Sequence, residues 1–163
     1  MNLAVEVPDA DAMRALGRRL AGLLRAGDLV VLAGSLGAGK TTLTQGIGLG
    51  LGVRGPVTSP TFVIARVHPG PVPLVHVDAY RLGSLAEVAD LDLEASLSDS
   101  VTVVEWGTGL VEGLADDRLE VTLTRPSDDE TRTVTIRGIG PRWELPFRND
   151  HGVSGTVVGV SCP

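Results

Sequence analysis

The sequence predicts an α/β fold, a three-layer sandwich around a mostly parallel β-sheet with an antiparallel hairpin at one edge. Three observations carry this reading. The run LVVLA at 29–33 is continuously apolar and bounded by glycine and charge, the pattern of a strand buried on both faces of a parallel sheet. Strand-like and helix-like segments then alternate, as they do when helices cover a parallel sheet. Finally, LEVTLT at 119–124 and TVTIR at 133–137 alternate apolar and polar residues across the turn-rich PSDDE, which reads as a hairpin.

Taken in order, residues 2–7 read as a short strand. Pro8 and Asp9 open an amphipathic helix over about 9–26, with Leu16, Leu20, Leu23 and Leu24 at helical spacing and Gly27 as its stop. A second helix is expected from about Lys40. It carries Gly46, Gly48, Gly50 and Gly52, and each glycine is about 1 kcal/mol worse than alanine in a helix interior. That helix should therefore end early or be pinned by close packing. Strands are predicted at about 62–68, 73–78 and 101–106, with helical or irregular acidic sequence at 84–98 and a short helical piece around 108–114. The division expected is one domain over 1–143 and a glycine-rich tail of uncertain order over 144–163.

A chain of 163 residues can bury a core without disulfides, and its lone cysteine, Cys162, has no internal partner. Nothing points to an oxidising compartment, so a cytoplasmic setting is expected. The first residues, MNLAVEVPDADAMR, hold three acids and no apolar leader core, and no stretch approaches the length of a membrane span. A formal net charge of −6 argues against direct DNA or RNA binding, so any role with RNA would work through a partner.

Residues Gly34-Ser35-Leu36-Gly37-Ala38-Gly39-Lys40-Thr41 fit G-x-x-x-x-G-K-[ST] between a buried strand and a helix, the context that a P-loop requires. Glycines let successive backbone N–H groups turn toward phosphate oxygens, and the helix N-terminus adds its positive end. Lys40 is the only lysine, against thirteen arginines. An ammonium is a compact point charge that fits inside a curled loop, whereas a guanidinium is a wide planar fork. Lys40 would reach the terminal phosphates, and the Thr41 hydroxyl would ligate magnesium.

Two apolar runs end in acids: PLVHVD at Asp78 and VTVVEW with Glu105 before Trp106. In an open α/β sheet the ligand crevice lies outside the carboxyl ends of the strands, so both acids can face the phosphates; each can equally be an ordinary strand-end acid capping the next helix. The segment PVTSPTF at 56–62 offers Thr58, Ser59 and Thr61 to a metal or phosphate, or forms a plain turn. His76 shares a strand face with Asp78 and reads either as a core histidine or as a polar group of the site. Tyr80, Arg81 and Trp106 are open between nucleotide, partner, solvent and core roles.

Taken together, GSLGAGKTT, VTSPTF, HVDAYRL and VEW, in this order and at these separations, resemble the TsaE family of bacterial tRNA threonylcarbamoyladenosine biosynthesis ATPases, over roughly residues 5–138. The resemblance implies a P-loop NTPase fold and a magnesium-dependent ATPase, weakly active alone. It would act with TsaB and TsaD in placing the threonylcarbamoyl group on adenosine 37 of tRNA, supporting turnover of that partner complex and meeting tRNA only through it. Carried over by motif, Gly37, Ala38, Gly39, Lys40, Thr41 and Thr42 would bind the phosphates of ATP, Thr41 and Glu105 would hold magnesium, and Asp78 would support hydrolysis with Glu105 and Lys40. The helix start near Ala10 and Asp11 would border the adenine. Ser35 departs from the acid common at its position in the family, the acidic stretch at 85–94 matches loosely, and residues beyond about Gly138 match nothing.

The competing reading is a small P-loop kinase transferring the γ-phosphoryl group to a small-molecule acceptor. Such enzymes commonly clamp the phosphoryl group with an arginine-rich mobile lid. Here Arg118, Arg125, Arg132 and Arg137 lie along the predicted hairpin instead. A GTPase switch is disfavoured further, since the chain has only Asn2 and Asn149 and so lacks an Asn-Lys-x-Asp base-reading motif. A regulatory module that binds nucleotide without turnover is disfavoured by the intact set of Lys40, Thr41, Asp78 and Glu105.

Overall fold

The computed structural model describes residues 2–60, 64–81, 96–125 and 131–144. Among these described residues seven strands form one sheet: β1 (Asn2–Val7), β2 (Leu29–Gly34), β3 (Ala65–His68), β4 (Leu74–Asp78), β5 (Val101–Glu105), β6 (Arg118–Thr124) and β7 (Arg132–Ile139), ordered β1-β7-β6-β2-β5-β4-β3. The four central strands β6, β2, β5 and β4 are parallel, and β3, β7 and β1 add antiparallel margins. The β6–β7 hairpin forms as predicted, but β1 pairs outside it and makes the rim.

β2 is the middle strand of the sheet. Leu29, Val30, Val31 and Leu32 are all buried, with Val30 and Leu32 facing the helices and Leu29 and Val31 the opposite layer. Two α-helices, α1 (Ala10–Ala21) and α2 (Lys40–Leu51), pack on the first face. Leu97 and Val111, with Leu110 and Leu114 packed against them, cover the second. Among the described residues that layer includes helical residues 96–97 and one 3-10 turn at Glu112–Leu114, where a short helical piece is predicted. No helix among the described residues is long and apolar enough to cross a membrane.

α1 starts as expected, with the Asp9 carboxylate accepting from the Ala12 amide at 2.8 Å. It stops at Ala21, short of the predicted residue 26, because its last turn tightens through Leu23 N–H to Leu20 O and Leu24 N–H to Ala21 O. Arg142 then binds the Leu23 carbonyl at 2.7 Å and Asp28 at 3.1 Å, and the Arg25 amide donates to the same Asp28 oxygen at 2.8 Å. Gly27 sits in the left-handed turn after these contacts, at φ 96°, and not at the helix end.

α2 resolves the glycine question in favour of close packing. A Cβ at Gly46 would overlap the Arg14 carbonyl oxygen, and one at Gly50 would overlap the Ala21 methyl group and lie 2.9 Å from the Arg18 carbonyl. Both contacts lie against α1, so these glycines set how closely the helices cross. Gly52 ends α2 in the left-handed conformation, with Val53 N–H bonding to Gly48 O at 3.1 Å.

The strand predicted from residue 62 is observed from Ala65; residues 61–63, with Thr61, lie outside the described residues. So do 82–95 with most of the acidic stretch, the PSDDE turn at 126–130, and 145–163.

Candidate nucleotide-binding site

The glycine loop joins β2 to α2 at the carboxyl edge of the sheet. Gly34, Gly37 and Gly39 have φ of 148°, 76° and 105°, a path that side-chain-bearing residues rarely take. A Cβ on Gly34 would also lie 2.6 Å from the Leu123 carbonyl of β6. Ala38 is buried under the loop, and its N–H bonds to the Ser35 carbonyl at 3.1 Å.

Lys40 is the first residue of α2 and folds back over this loop. Its ammonium donates to the carbonyls of Gly34 at 2.8 Å and Ser35 at 3.0 Å, and stands 4.0 Å from the centre of the Trp106 ring. Burial pushes the ammonium below its ordinary value of 10.5, while the nearby Glu105 and Asp78 carboxylates oppose that shift. Trp106 holds φ 61°, unusual for a bulky residue, and its amide donates to Leu32 O at 3.0 Å. Tyr80 meets the Trp106 ring edge-on, with centroids 5.1 Å apart.

Strand register brings the two predicted acids together. Glu105 is flanked by Leu32 of β2 and by Asp78 of β4. The Thr41 hydroxyl donates to Glu105 Oε1 at 3.0 Å, and Asp78 Oδ1 accepts from the Tyr80 amide at 3.0 Å. Gly37, Gly39, Lys40, Thr41, Thr42, Asp78 and Glu105 line one cleft of about 350 Å³, completed by Leu36, Ser59 and Trp106. Thr58 is drawn aside, where its hydroxyl accepts from Arg66.

The donor set fits magnesium. A hydroxyl and a carboxylate at hydrogen-bond distance, with a second carboxylate beside them, are the few hard oxygens that magnesium takes from protein when phosphates and water complete its shell. Among the described residues no group of three or more His, Cys, Asp or Glu could form an all-protein cage.

A smaller recess of about 150 Å³ adjoins the cleft through Gly37, Gly39 and Thr42, and Asp9, Ala10, Met13, Ala38 and Arg132 complete it. Of the two residues expected near the adenine, Ala10 lines this recess and Asp11 does not; the Asp11 side chain is 96% exposed and pairs with Arg14 at 2.9 Å. Met13 and Arg132 were missed, since one reads as helix core and the other as a hairpin residue.

His76 also gains a definite place. Its Nε2 lies 2.8 Å from Glu105 Oε1, and both side chains are buried. With the carboxylate oxygen accepting, Nε2 donates. Nδ1 has no partner among the described residues, a loss of about 1–3 kcal/mol for a buried polar atom. His68 packs nearby, its ring centroid 6.5 Å from that of His76. Burial lowers its pKa from 6.5, and His76 and Arg66 lower it further.

Comparison with known proteins gives a family and a fold for the chain. Residues 7–134 match the family described as "Threonylcarbamoyl adenosine biosynthesis protein TsaE". A Streptomyces coelicolor relative named tRNA threonylcarbamoyladenosine biosynthesis protein TsaE is 68% identical over 139 residues, covering 80% of this chain and 93% of the relative. A Bacillus subtilis protein of the same name is 39% identical over 133 residues, covering 81% and 83%. The crystal structure of Bacillus subtilis YdiB superposes with a TM-score of 0.73 at 32% identity, covering 88% of this chain and 90% of that one.

Proposed function

Because the chain belongs to the TsaE family, we propose that it is the ATP-binding and ATP-hydrolysing component of threonylcarbamoyladenosine tRNA biosynthesis, acting in the cytoplasm on a TsaB–TsaD partner complex and supporting its turnover. The observation that carries this reading is the Thr41–Glu105 hydrogen bond of 3.0 Å at the foot of a glycine loop that also presents Lys40. It joins the hydroxyl and the carboxylate that magnesium-dependent phosphoryl chemistry needs.

ATP would lie with its phosphates along Gly37 to Thr42 and its base toward Ala10 and Met13. The Lys40 ammonium would exchange the carbonyls of Gly34 and Ser35 for phosphate oxygens. Thr41 and Glu105 would hold magnesium, which when bound offsets charge on the transferred phosphoryl group. Asp78, held by the Tyr80 amide, would accept a hydrogen bond from the attacking water. The ring of Trp106 covers the lysine and limits water around it. Tyr80 is 69% exposed and Leu36 92% exposed, so the mouth of the cleft offers apolar surface to a partner.

The test is magnesium-dependent ATP hydrolysis by the purified chain, alone and with TsaB and TsaD. Slow turnover that rises with the partners supports the proposal. Turnover that ignores them, but is fast with an added small-molecule acceptor, replaces it with a kinase.

A further inference from the structure

We propose that His76 is a positioning residue: its Nε2–H holds the Glu105 carboxylate in the orientation that, with the Thr41 hydroxyl, binds magnesium beside a bound nucleotide. The inference rests on reading the cleft as a magnesium–nucleotide site.

In the sheet, Asp78 of β4 lies opposite Glu105 of β5, and His76 lies opposite Val103, one pleat further from the cleft on the same face. From there the imidazole reaches Glu105 from behind, at 2.8 Å, while Thr41 reaches it from α2 at 3.0 Å. Both donors converge on Oε1. A glutamate side chain has three rotatable bonds, and two donors from different elements on one oxygen remove most of that freedom. His76 is fully buried and Glu105 is 4% exposed, so little water competes for the bond.

A histidine kept only to fill the core would be expected to satisfy both ring nitrogens. His76 satisfies one, on Glu105, and leaves Nδ1 without a partner among the described residues. An apolar side chain of similar volume would fill the same space without an orphaned nitrogen. The polar contact with Glu105 is therefore what His76 provides that an apolar side chain would not. Groups behind the ligands of a metal site commonly alter metal affinity by about 10–100-fold when removed.

The test is calorimetric titration of ADP at a series of magnesium chloride concentrations, and again in EDTA. The proteins are wild type, His76→Leu, His76→Gln and His76→Asn. A glutamine carries its N–H₂ near the position of imidazole Nε2, and an asparagine carries it near Nδ1. Magnesium should act at least about 10-fold more weakly on His76→Leu and His76→Asn, and within about threefold of wild type on His76→Gln, with ADP affinity in EDTA unchanged. A wild-type magnesium response in His76→Leu or His76→Asn overturns the role. So does an equal loss of affinity in EDTA, which would mark general damage to the loop. If His76→Leu does not fold, the glutamine and asparagine variants decide between the same outcomes. A wild-type chain whose ADP binding ignores magnesium overturns the underlying site reading, and this role with it; a wild-type response that His76→Leu shares overturns the role alone.

Discussion

The Thr41 hydroxyl donates a 3.0 Å hydrogen bond to Oε1 of Glu105, tying the first turn of α2 to the end of β5 across 64 positions of sequence. The bond makes one unit of two groups that come from separate motifs. Glu105→Ala should therefore leave nucleotide binding in EDTA close to wild type while magnesium-dependent hydrolysis falls by at least about tenfold, as for a metal-positioning group. Steady-state phosphate release, compared with ATP binding in EDTA, checks this. Undiminished hydrolysis would move the metal-holding role to Asp78.

Lys40→Arg should fail nearly as fully as removal of the charge. The ammonium fits between two carbonyls at 2.8 and 3.0 Å with the Trp106 ring at 4.0 Å. A planar guanidinium is too wide for that space. ATP affinity should drop by more than about tenfold, the equivalent of about 1.4 kcal/mol. Retained affinity measured by calorimetry would mean that the loop opens more than its backbone implies.

The helix crossing predicts a contrast between two glycines. Gly46→Ala would drive its methyl group into the Arg14 carbonyl, whereas Gly113 has nothing within 4 Å of its added Cβ. The first substitution should lower stability by about 1–3 kcal/mol through overpacking. The second should be neutral or gain up to about 1 kcal/mol by restricting the unfolded chain. Urea melts of the two variants separate these outcomes, and equal midpoints would contradict the close crossing.

Stability should depend on pH through His68. Its folded pKa lies below 6.5, chiefly because burial disfavours the charged ring. Above 6.5 the ring is neutral in both states and exerts no pull. As pH falls from 6.5 toward the folded value, the unfolded chain binds the proton first, and stability is lost. Melting temperature should fall across that window, and His68→Phe should flatten the slope. An unchanged slope in the variant would show that other groups carry it.

Much of the site was legible because its chemistry is local. The loop 34–41 needs its glycines, one compact cation and a hydroxyl in consecutive positions, and the buried run before it marks the strand that presents them. Asp78 and Glu105 were recognisable as strand-end acids, and parallel register then makes them neighbours. What escaped depends on contacts between distant segments. Strand alternation puts His76 on the face of Asp78, but only the pairing of β4 with β5 shows that Glu105 lies within its reach. α1 ends early in a tightened turn, and Arg142 and Asp28 then hold the segment after it; nothing inside the helix announces either contact. Arg132 joins the recess beside the loop because β7 runs back past the start of α1, and residue spacing carries no sign of that.

The central claim is that this cleft holds ATP through Lys40. The most direct measurement is calorimetric titration of ATP with magnesium into the wild-type chain and into Lys40→Ala, with folding of both verified by circular dichroism. Saturable binding by the wild type that is abolished or nearly so in the variant is the predicted result. Equal affinity in the two proteins would contradict the P-loop assignment and the function built on it.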